Sequence, residues 1–463
     1  MATKSKQAAF VCTECGWSGV KWVGRCPECH AWGTVEEFRE AGSAAGVGVT
    51  PLAPPSPALP ITDVWAGASI KSPTGVAELD RVLGGGLVPG VVVLLAGEPG
   101  VGKSTLLLDV AAKAAAKAAE LGESSVLYVT GEESASQVRS RAQRIGALHP
   151  HLLLAAEADL GRVLGHVNHS KPSLLIVDSV QTIASAETDG VAGGVAQVRA
   201  VTAALVSLAK SQNLPVILVG HVTKDGSIAG PRVLEHLVDV VCQFEGDRHS
   251  RLRLIRAVKN RYGATDEVGC FELVDDGIRE LPDPSGLFLS ARNLTVPGTC
   301  VTVTLEGRRP MPVEVQGLSV ATVTSPKRTV SGVDNSRVAM MLAVLQSRLG
   351  IEFEKRDIFV ATVGGAKAGE PSADAAIALA LASSAVDLPL APGVIAIGEV
   401  SLTGEFRPVV GLQQRLSEAA RLGFRIAIVP ANSDLRNAPK GLEIRQVRDI
   451  KEAVEAVLPT DIR

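Results

Sequence analysis

The sequence predicts an α/β protein in three parts: a small cysteine-knuckle module, a core built on a parallel sheet, and a separate α+β domain. Three observations predict it. Four of the seven cysteines lie close together near the start. Apolar runs then alternate with helical stretches over residues 62–280, and such alternation implies parallel strands covered by helices on both faces. Composition shifts after Leu281-Pro282-Asp283-Pro284, where short β-rich runs and Ala-rich helical runs begin. At 463 residues the chain can hold two or three domains with real cores. With 46% hydrophobic and 21% charged residues and a net charge of −3, global charge announces no nucleic-acid binder, so any such surface must be local. The longest apolar run, near Ala375–Val386, contains serines and stops at Asp387, too short to span a bilayer. No signal-peptide apolar core opens the chain. A cytoplasmic location without membrane contact is expected.

The first part is residues 1–40. Cys12, Cys15, Cys26 and Cys29 form two knuckles spaced Cys-x₂-Cys-x₁₀-Cys-x₂-Cys, each beside a turn residue, Gly16 or Pro27. Four thiolates so arranged suit one tetrahedral Zn²⁺. Two disulfides are the alternative, disfavoured in a reducing compartment. A module this small has little core, so the metal supplies its folding energy. Residues 41–61, rich in Ala, Gly and Pro, read as a linker. The isolated Cys242, Cys270 and Cys300 read as small buried apolar residues.

The second part, residues 62–280, carries the chemistry. Val91–Ala96 reads as a buried strand and Ser104–Ala119 as a helix. Between them stand Gly97, Glu98, Pro99, Gly100, Val101, Gly102, Lys103 and Ser104, which fit G-x-x-x-x-G-K-[ST]. Backbone N–H groups of such a loop close around a phosphate at the positive end of the helix. The loop and the adjoining Thr105 are therefore expected to hold ATP, with Lys103 on the β- and γ-phosphates and Ser104 on Mg²⁺. Strand Leu174–Val177 ends in Asp178, the expected second Mg²⁺ ligand. Strand Val126–Thr130 leads to Glu132 and Glu133. A hydrolase needs a carboxylate to orient the attacking water. Glu132, nearer the strand end, is the better candidate and Glu133 the alternative. Strand Val216–Gly220 ends at His221, placed to sense the γ-phosphate.

Several motifs now stand in order: the four-cysteine module, the phosphate loop, Thr130-Gly131-Glu132-Glu133-Ser134, Gly220-His221-Val222-Thr223-Lys224 and Lys259-Asn260-Arg261-Tyr262-Gly263. Over nearly its full length the chain resembles the bacterial RadA (Sms) family of DNA repair proteins. The resemblance implies a RecA-like P-loop ATPase core and a Lon-protease-like C-terminal domain over residues 285–463. It implies an ATP hydrolase of the DNA-stimulated helicase or branch-migration type. It further implies hexameric rings on single-stranded and branched DNA, and work with the recombinase RecA in homologous recombination. Lys259 and Arg261 fall in the family signature, with Tyr262 replacing its usual Phe. Two residues apart on a strand, the two cations share one face and could reach a neighbouring subunit's γ-phosphate. Loops Ala184–Val195 and Thr223–Arg232 would line the ring channel, with Lys224 and Arg232 meeting DNA phosphates. Neither loop has an aromatic residue for base stacking.

Lon proteases pair a serine nucleophile with a lysine on a later helix. Here Ser372 holds the serine position and Gln413 stands where the lysine belongs. A serine without a base is a poor nucleophile, so the domain is expected to be a scaffold, with Ser372 capping a helix start. Lys367 is the substitute base to consider. A Lon-type serine protease and a non-motor ATP switch of the circadian-clock type are the rival readings.

Overall fold

The computed structural model describes residues 10–12, 15, 17–19, 21–37, 60–63, 70–221, 231–246, 250–289 and 296–458. The chain divides into two compact units, Met1–Ala66 and Gly67–Arg463.

In the first unit, β1 (Phe10–Cys12) pairs antiparallel with β2 (Ser18–Gly19) and β3 (Val35–Glu37). Its apolar core is only Cys12, Cys26 and Val35, with Phe10, Trp17 and Val23 packed against them. The expected linker lies mostly outside the described residues; Ile61–Asp63 form one 3₁₀ turn.

The second unit holds two sheets. The first contains β4 (Val92–Gly97), β5 (Val126–Thr130), β6 (Leu152–Ala156), β7 (Leu174–Asp178), β8 (Val216–His221), β9 (Val240–Glu245), β10 (Leu252–Asn260), β11 (Val268–Val274) and β12 (Gly277–Glu280). Their order is β12-β11-β10-β9-β4-β8-β7-β5-β6. The six strands from β9 to β6 are parallel, and β10–β12 extend the sheet antiparallel. Every residue of β4, β5 and β7 is buried, as continuous aliphatic runs require when helices cover both faces. The helices α1 (Ala77–Leu83), α2 (Lys103–Leu121) and α3 (Ala135–Arg144) pack on one face. The helices α4 (Leu160–Ser170) and α5 (Val195–Gln212) pack on the other. The short α6 is Pro231–Leu234.

After α7 (Ser285–Phe288), the second sheet comprises β13 (Thr299–Glu306), β14 (Arg309–Ala321), β15 (Arg328–Ser331), β16 (Arg356–Thr362), β17 (Val394–Ala396), β20 (Ile426–Pro430) and β21 (Glu443–Val447); the ribbon β18 (Glu399–Val400) and β19 (Phe406–Arg407) stands apart. The helices α8 (Asn335–Leu349), α9 (Asp374–Val386) and α11 (Ile450–Val457) share one core with it, and α10 (Leu412–Arg421) packs in another. Alanine at Ala375, Ala376, Ala378, Ala380 and Ala382 lets α9 lie buried on all sides.

The two sheets are less separate than the composition shift implies. Buried Arg309 at the start of β14 pairs with buried Glu78 of α1, and its guanidinium also donates to the carbonyls of Leu281 and Pro282, 3.1 and 2.6 Å away. Glu78 in turn accepts from the Cys270 backbone N–H at 2.8 Å. The Pro-containing segment after β12 is thus stapled between the sheets. Cys242, Cys270 and Cys300 are buried, and burial pushes each thiol up to about 12, as inert packing residues should behave.

Candidate nucleotide site and zinc module

The phosphate loop leaves β4 at Gly97, where a side chain is excluded: a Cβ would sit 2.5 Å from the Phe244 carbonyl oxygen. Gly100 and Gly102 take φ of 79° and 111°, the left-handed region that glycine enters without strain. Gly102 then caps α2 with no side-chain hydrogen bond, so the first N–H groups of this 19-residue helix remain available to an anion. Buried Arg253 of β10 supports the loop from behind, its Nε donating to the Val101 carbonyl at 3.2 Å.

Lys103 is buried and donates to the loop's own carbonyls, Gly97 at 2.8 Å and Glu98 at 2.9 Å. Burial lowers its pKa to about 8, against the opposing pull of Asp178 and Glu132. Those two carboxylates therefore share its electrostatic neighbourhood. Asp178, at the end of β7, is buried and accepts a 2.6 Å hydrogen bond from the Tyr128 hydroxyl. Burial, then the Asp178 charge, raises the Tyr128 pKa well above its ordinary value, so Tyr128 stays a donor. Ser104 and Thr105 occupy the first turn of α2, half-buried.

The two glutamates separate cleanly. Glu132 accepts from Ser179 Oγ at 2.7 Å and stands 3.1 Å from His221 Nε2. It therefore bridges the ends of β7 and β8 beside the loop. Glu133 instead pairs with Arg141 of α3. The divergence begins at Ser134, whose side chain and Gln137 form a reciprocal cap that starts α3 there.

Lys259 and Arg261 do converge, though not as neighbours on one strand. The β10 register shifts between Ala257 and Lys259, and Arg261 lies just beyond the strand. Lys259 Nζ donates to the carbonyls of Glu235 and Val238 at 2.6 and 2.8 Å. Arg261 Nη1 donates to Asp239 at 3.0 Å. Asp239 is buried and also accepts from Lys210 Nζ at 2.5 Å and from the Val92 N–H at 3.0 Å. Asp239 precedes β9 and binds the start of β4, whereas the phosphate loop leaves the other end of β4. Five residues of strand, about 16 Å, separate the two. The pair cannot serve the phosphate loop of its own chain. The Tyr262 hydroxyl finds Lys210 Nζ at 3.5 Å, the limit of a hydrogen bond.

Lys224 lies outside the described residues, and Arg232 belongs to the backbone of α6. Loop Ala184–Val195 is held by buried Gln197, which accepts from the Ser185 N–H and donates to the carbonyls of Ser185, Thr188 and Gly190.

In the first unit the ligand sulfurs of Cys12, Cys15, Cys26 and Cys29 lie within 4.8 Å of one another. Cys12–Cys29 and Cys15–Cys26 sulfurs are 3.7 and 3.6 Å apart, far beyond the disulfide length of about 2.05 Å. A tetrahedron with Zn–S bonds of about 2.3 Å has edges of nearly this size, so the cage fits zinc.

At Ser372 the structure corrects two expectations. Ser372 makes no helix cap; its hydroxyl accepts from Arg415 Nη1 at 2.8 Å. Gln413 points elsewhere, donating to the Asn437 carbonyl. The cation beside the serine is thus Arg415, two residues further along α10. Arg415 is 2% exposed and also meets Glu370 and the carbonyls of Val303 and Val410. Lys367 is exposed and lines a cavity of about 510 Å³ with Phe288, Glu306 and the phosphate loop.

Three family models match this chain: an AAA domain over residues 55–227, a rubredoxin metal-binding domain over 10–37, and a Lon protease C-terminal proteolytic domain over 335–460. The DNA repair protein RadA of Mycolicibacterium smegmatis is 53% identical, covering 99% of this chain and 98% of that protein. The chain belongs to the RadA family. The Bacillus subtilis RadA is 43% identical over 98% of this chain and 99% of its own length, and that of Mycobacterium tuberculosis 52% identical over 97% and 93%. This RadA-family chain accordingly carries a zinc-binding module, an ATPase core and a Lon-like domain. Among the described residues no helix is long and apolar enough to cross a membrane.

Sequence reasoning missed Tyr128, Ser179, Asp239, Arg253 and Arg415. One signal was available. The chain has only two tyrosines, and one of them, Tyr128, donates to Asp178.

Proposed function

We propose that this chain is a DNA-stimulated ATP hydrolase. It works as a homo-oligomeric, hexameric ring that migrates branched recombination intermediates on single-stranded DNA, beside the recombinase RecA in the cytoplasm. The observation that carries the ring is the placement of Arg261. It sits at the sheet end remote from its own phosphate loop, half-exposed, with Nη1 anchored on Asp239. A cation so placed is out of reach of its own phosphate loop, which supports a role at another subunit's site.

Within one site, the open N–H groups of α2 receive the phosphates. Lys103 turns from the Gly97 and Glu98 carbonyls to the phosphate oxygens. Glu132, held by Ser179, orients the attacking water, and His221 reads the γ-phosphate through its contact with Glu132. The Ser104 hydroxyl and the Asp178 carboxylate are hard oxygen donors suited to Mg²⁺, which would supply charge neutralisation at the phosphates. Arg261 and Lys259 of the neighbouring subunit would stabilise charge developing on the γ-phosphate.

The Lon-type protease reading is disfavoured by Arg415. A guanidinium cannot be deprotonated in a protein, so it cannot take the Ser372 proton. The clock-type switch is disfavoured by the cysteine module and by the remote cation pair.

Mixing two inactive variants tests the ring. Arg261→Ala should retain ATP binding and lose about 10³–10⁵ in rate if it acts as a finger. Mixed with Lys103→Ala, some junctions regain an intact site and partial hydrolysis returns. No recovery in rings proven to be mixed would reject action across the interface.

A further inference from the structure

The zinc module carries three indoles among its described residues, and they are used differently. Trp17 packs against the small core. Trp22 and Trp32 do not; they are 61% and 75% exposed. So much apolar ring in water on so small a module calls for a partner.

The two rings form one surface. The outer edges of both approach Gly24: a Cβ there would lie 3.6 Å from Trp22 Cη2 and 3.9 Å from Trp32 Cζ3. Both are held in place. Trp22 Nε1 donates to the Val35 carbonyl at 3.0 Å. Trp32 is bridged to Arg25 across a tight hairpin, with Gly33 N–H on the Gly24 carbonyl and Cys26 N–H on the Ala31 carbonyl. The metal knuckle Cys26–Cys29 thus fixes the hairpin that presents Trp32.

Cations border the rings. The Arg25 guanidinium lies 5.8 Å from the Trp32 ring centroid, with Nε committed to the His30 carbonyl at 2.9 Å. Arg25 is exposed, and so is Lys21, the residue next to Trp22 in the chain. Aromatic faces edged by cations match a strand that offers bases and phosphates together. An apolar peptide would have to strip water from both cations without replacing it.

We propose that Trp22 and Trp32 form a base-stacking platform for single-stranded nucleic acid, with Arg25 and Lys21 meeting its phosphates. This rests on the reading that the protein works on DNA and adds where bases are gripped, since neither expected channel loop contains an aromatic residue.

The test uses the full-length zinc-loaded protein with an oligothymidylate, an abasic strand of equal length and an oligouridylate. The oligothymidylate should quench tryptophan emission, and the abasic strand, equal in charge, should not. Trp32→Ala, which alters an exposed ring, should weaken oligothymidylate binding about 5- to 100-fold and leave its salt dependence unchanged. Gly24→Ala, which adds a methyl group between the rings without a clash, should weaken it less. Preference for oligouridylate would assign the platform to RNA rather than DNA. Equal affinity of wild type and Trp32→Ala, equal quenching by the abasic strand, or quenching only by apolar peptides would overturn the proposal. ATP hydrolysis read in parallel separates the two readings. Equal stimulation of both proteins by the strand keeps the DNA reading and retires the platform. No stimulation of wild type retires the DNA reading, while ring quenching still decides the platform.

Discussion

The phosphate loop and the surroundings of Ser372 each place a buried cation beside a residue fit for chemistry, and they hold it in opposite ways. Lys103 rests on two carbonyls of its own loop, with a pKa lowered to about 8 by burial. Beside it, the Nδ1 of His221 is buried without a partner among the described residues. Arg415 is held by a carboxylate, a hydroxyl and two backbone carbonyls. Burial pushes the Glu370 carboxyl up, but Arg415 outweighs it and the net shift is downward. The first cation can leave its contacts when a stronger anion arrives. The second cannot leave without stranding a charge. The phosphate loop keeps its cation on exchangeable carbonyls, whereas the surroundings of Ser372 tie theirs to a carboxylate.

The sharpest break of this contrast is Lys103→Ala. Removing the charge that neutralises the phosphates should take ATP hydrolysis to background; turnover near the wild-type rate would show that this loop is not the active one. Arg415→Met should do the opposite, sparing the site and damaging the fold. Arg415 is buried but Glu370 is part-exposed, so the loss leaves acceptors unpaired rather than a fully buried charge, at about 1–3 kcal/mol; denaturant melting should shift while nucleotide affinity at low temperature holds. Unchanged melting would mean that the Glu370–Arg415 pair is not structural.

A pH titration separates the two cations more finely. Phosphates favour the charged form of Lys103, so nucleotide affinity should be level below pH 7 and fall as pH rises through 8. The effect on folding has the reverse sign. The unfolded chain keeps this proton up to about 10.5, whereas the nucleotide-free folded state gives it up near 8. From this group alone, stability rises with pH across that window. Affinity flat from pH 7 to 9.5 would contradict the lowered pKa. Ser372→Ala should have the smallest effect, removing one hydrogen bond and about 1 kcal/mol. Peptide cleavage lost in this variant, or labelling of Ser372 by a serine-directed fluorophosphonate, would restore the protease reading.

Much of the first site was legible because its signals are local. The loop needs glycines where φ is positive, the strand before it must be aliphatic, and the helix after it must lack breakers. Accordingly β4, α2, β5, β7 and β8 fall within a residue or two of their expected bounds. Glu132 was preferred over Glu133 on its nearness to the strand end, and the structure separates them by partner: Ser179 and His221 for one, Arg141 for the other. The strands β9, β11 and β12 were not read, and β10 only at its Lys259 end; β10 alternates half-buried and buried residues and carries Arg253 inward.

The sequence by itself determined the phosphate loop, the four-cysteine cage and the alternation that builds the parallel sheet. Each depends on residue types at fixed short spacing, where backbone geometry leaves little choice. The tertiary structure alone decided which distant groups meet. Asp239 gathers Lys210 of α5, Val92 of β4 and Arg261 from just beyond β10. Glu78 and Arg309 are 231 residues apart yet staple the sheets together. Arg415, not Gln413, reaches Ser372 because the helical turn, rather than alignment to a motif, sets which side chain faces it.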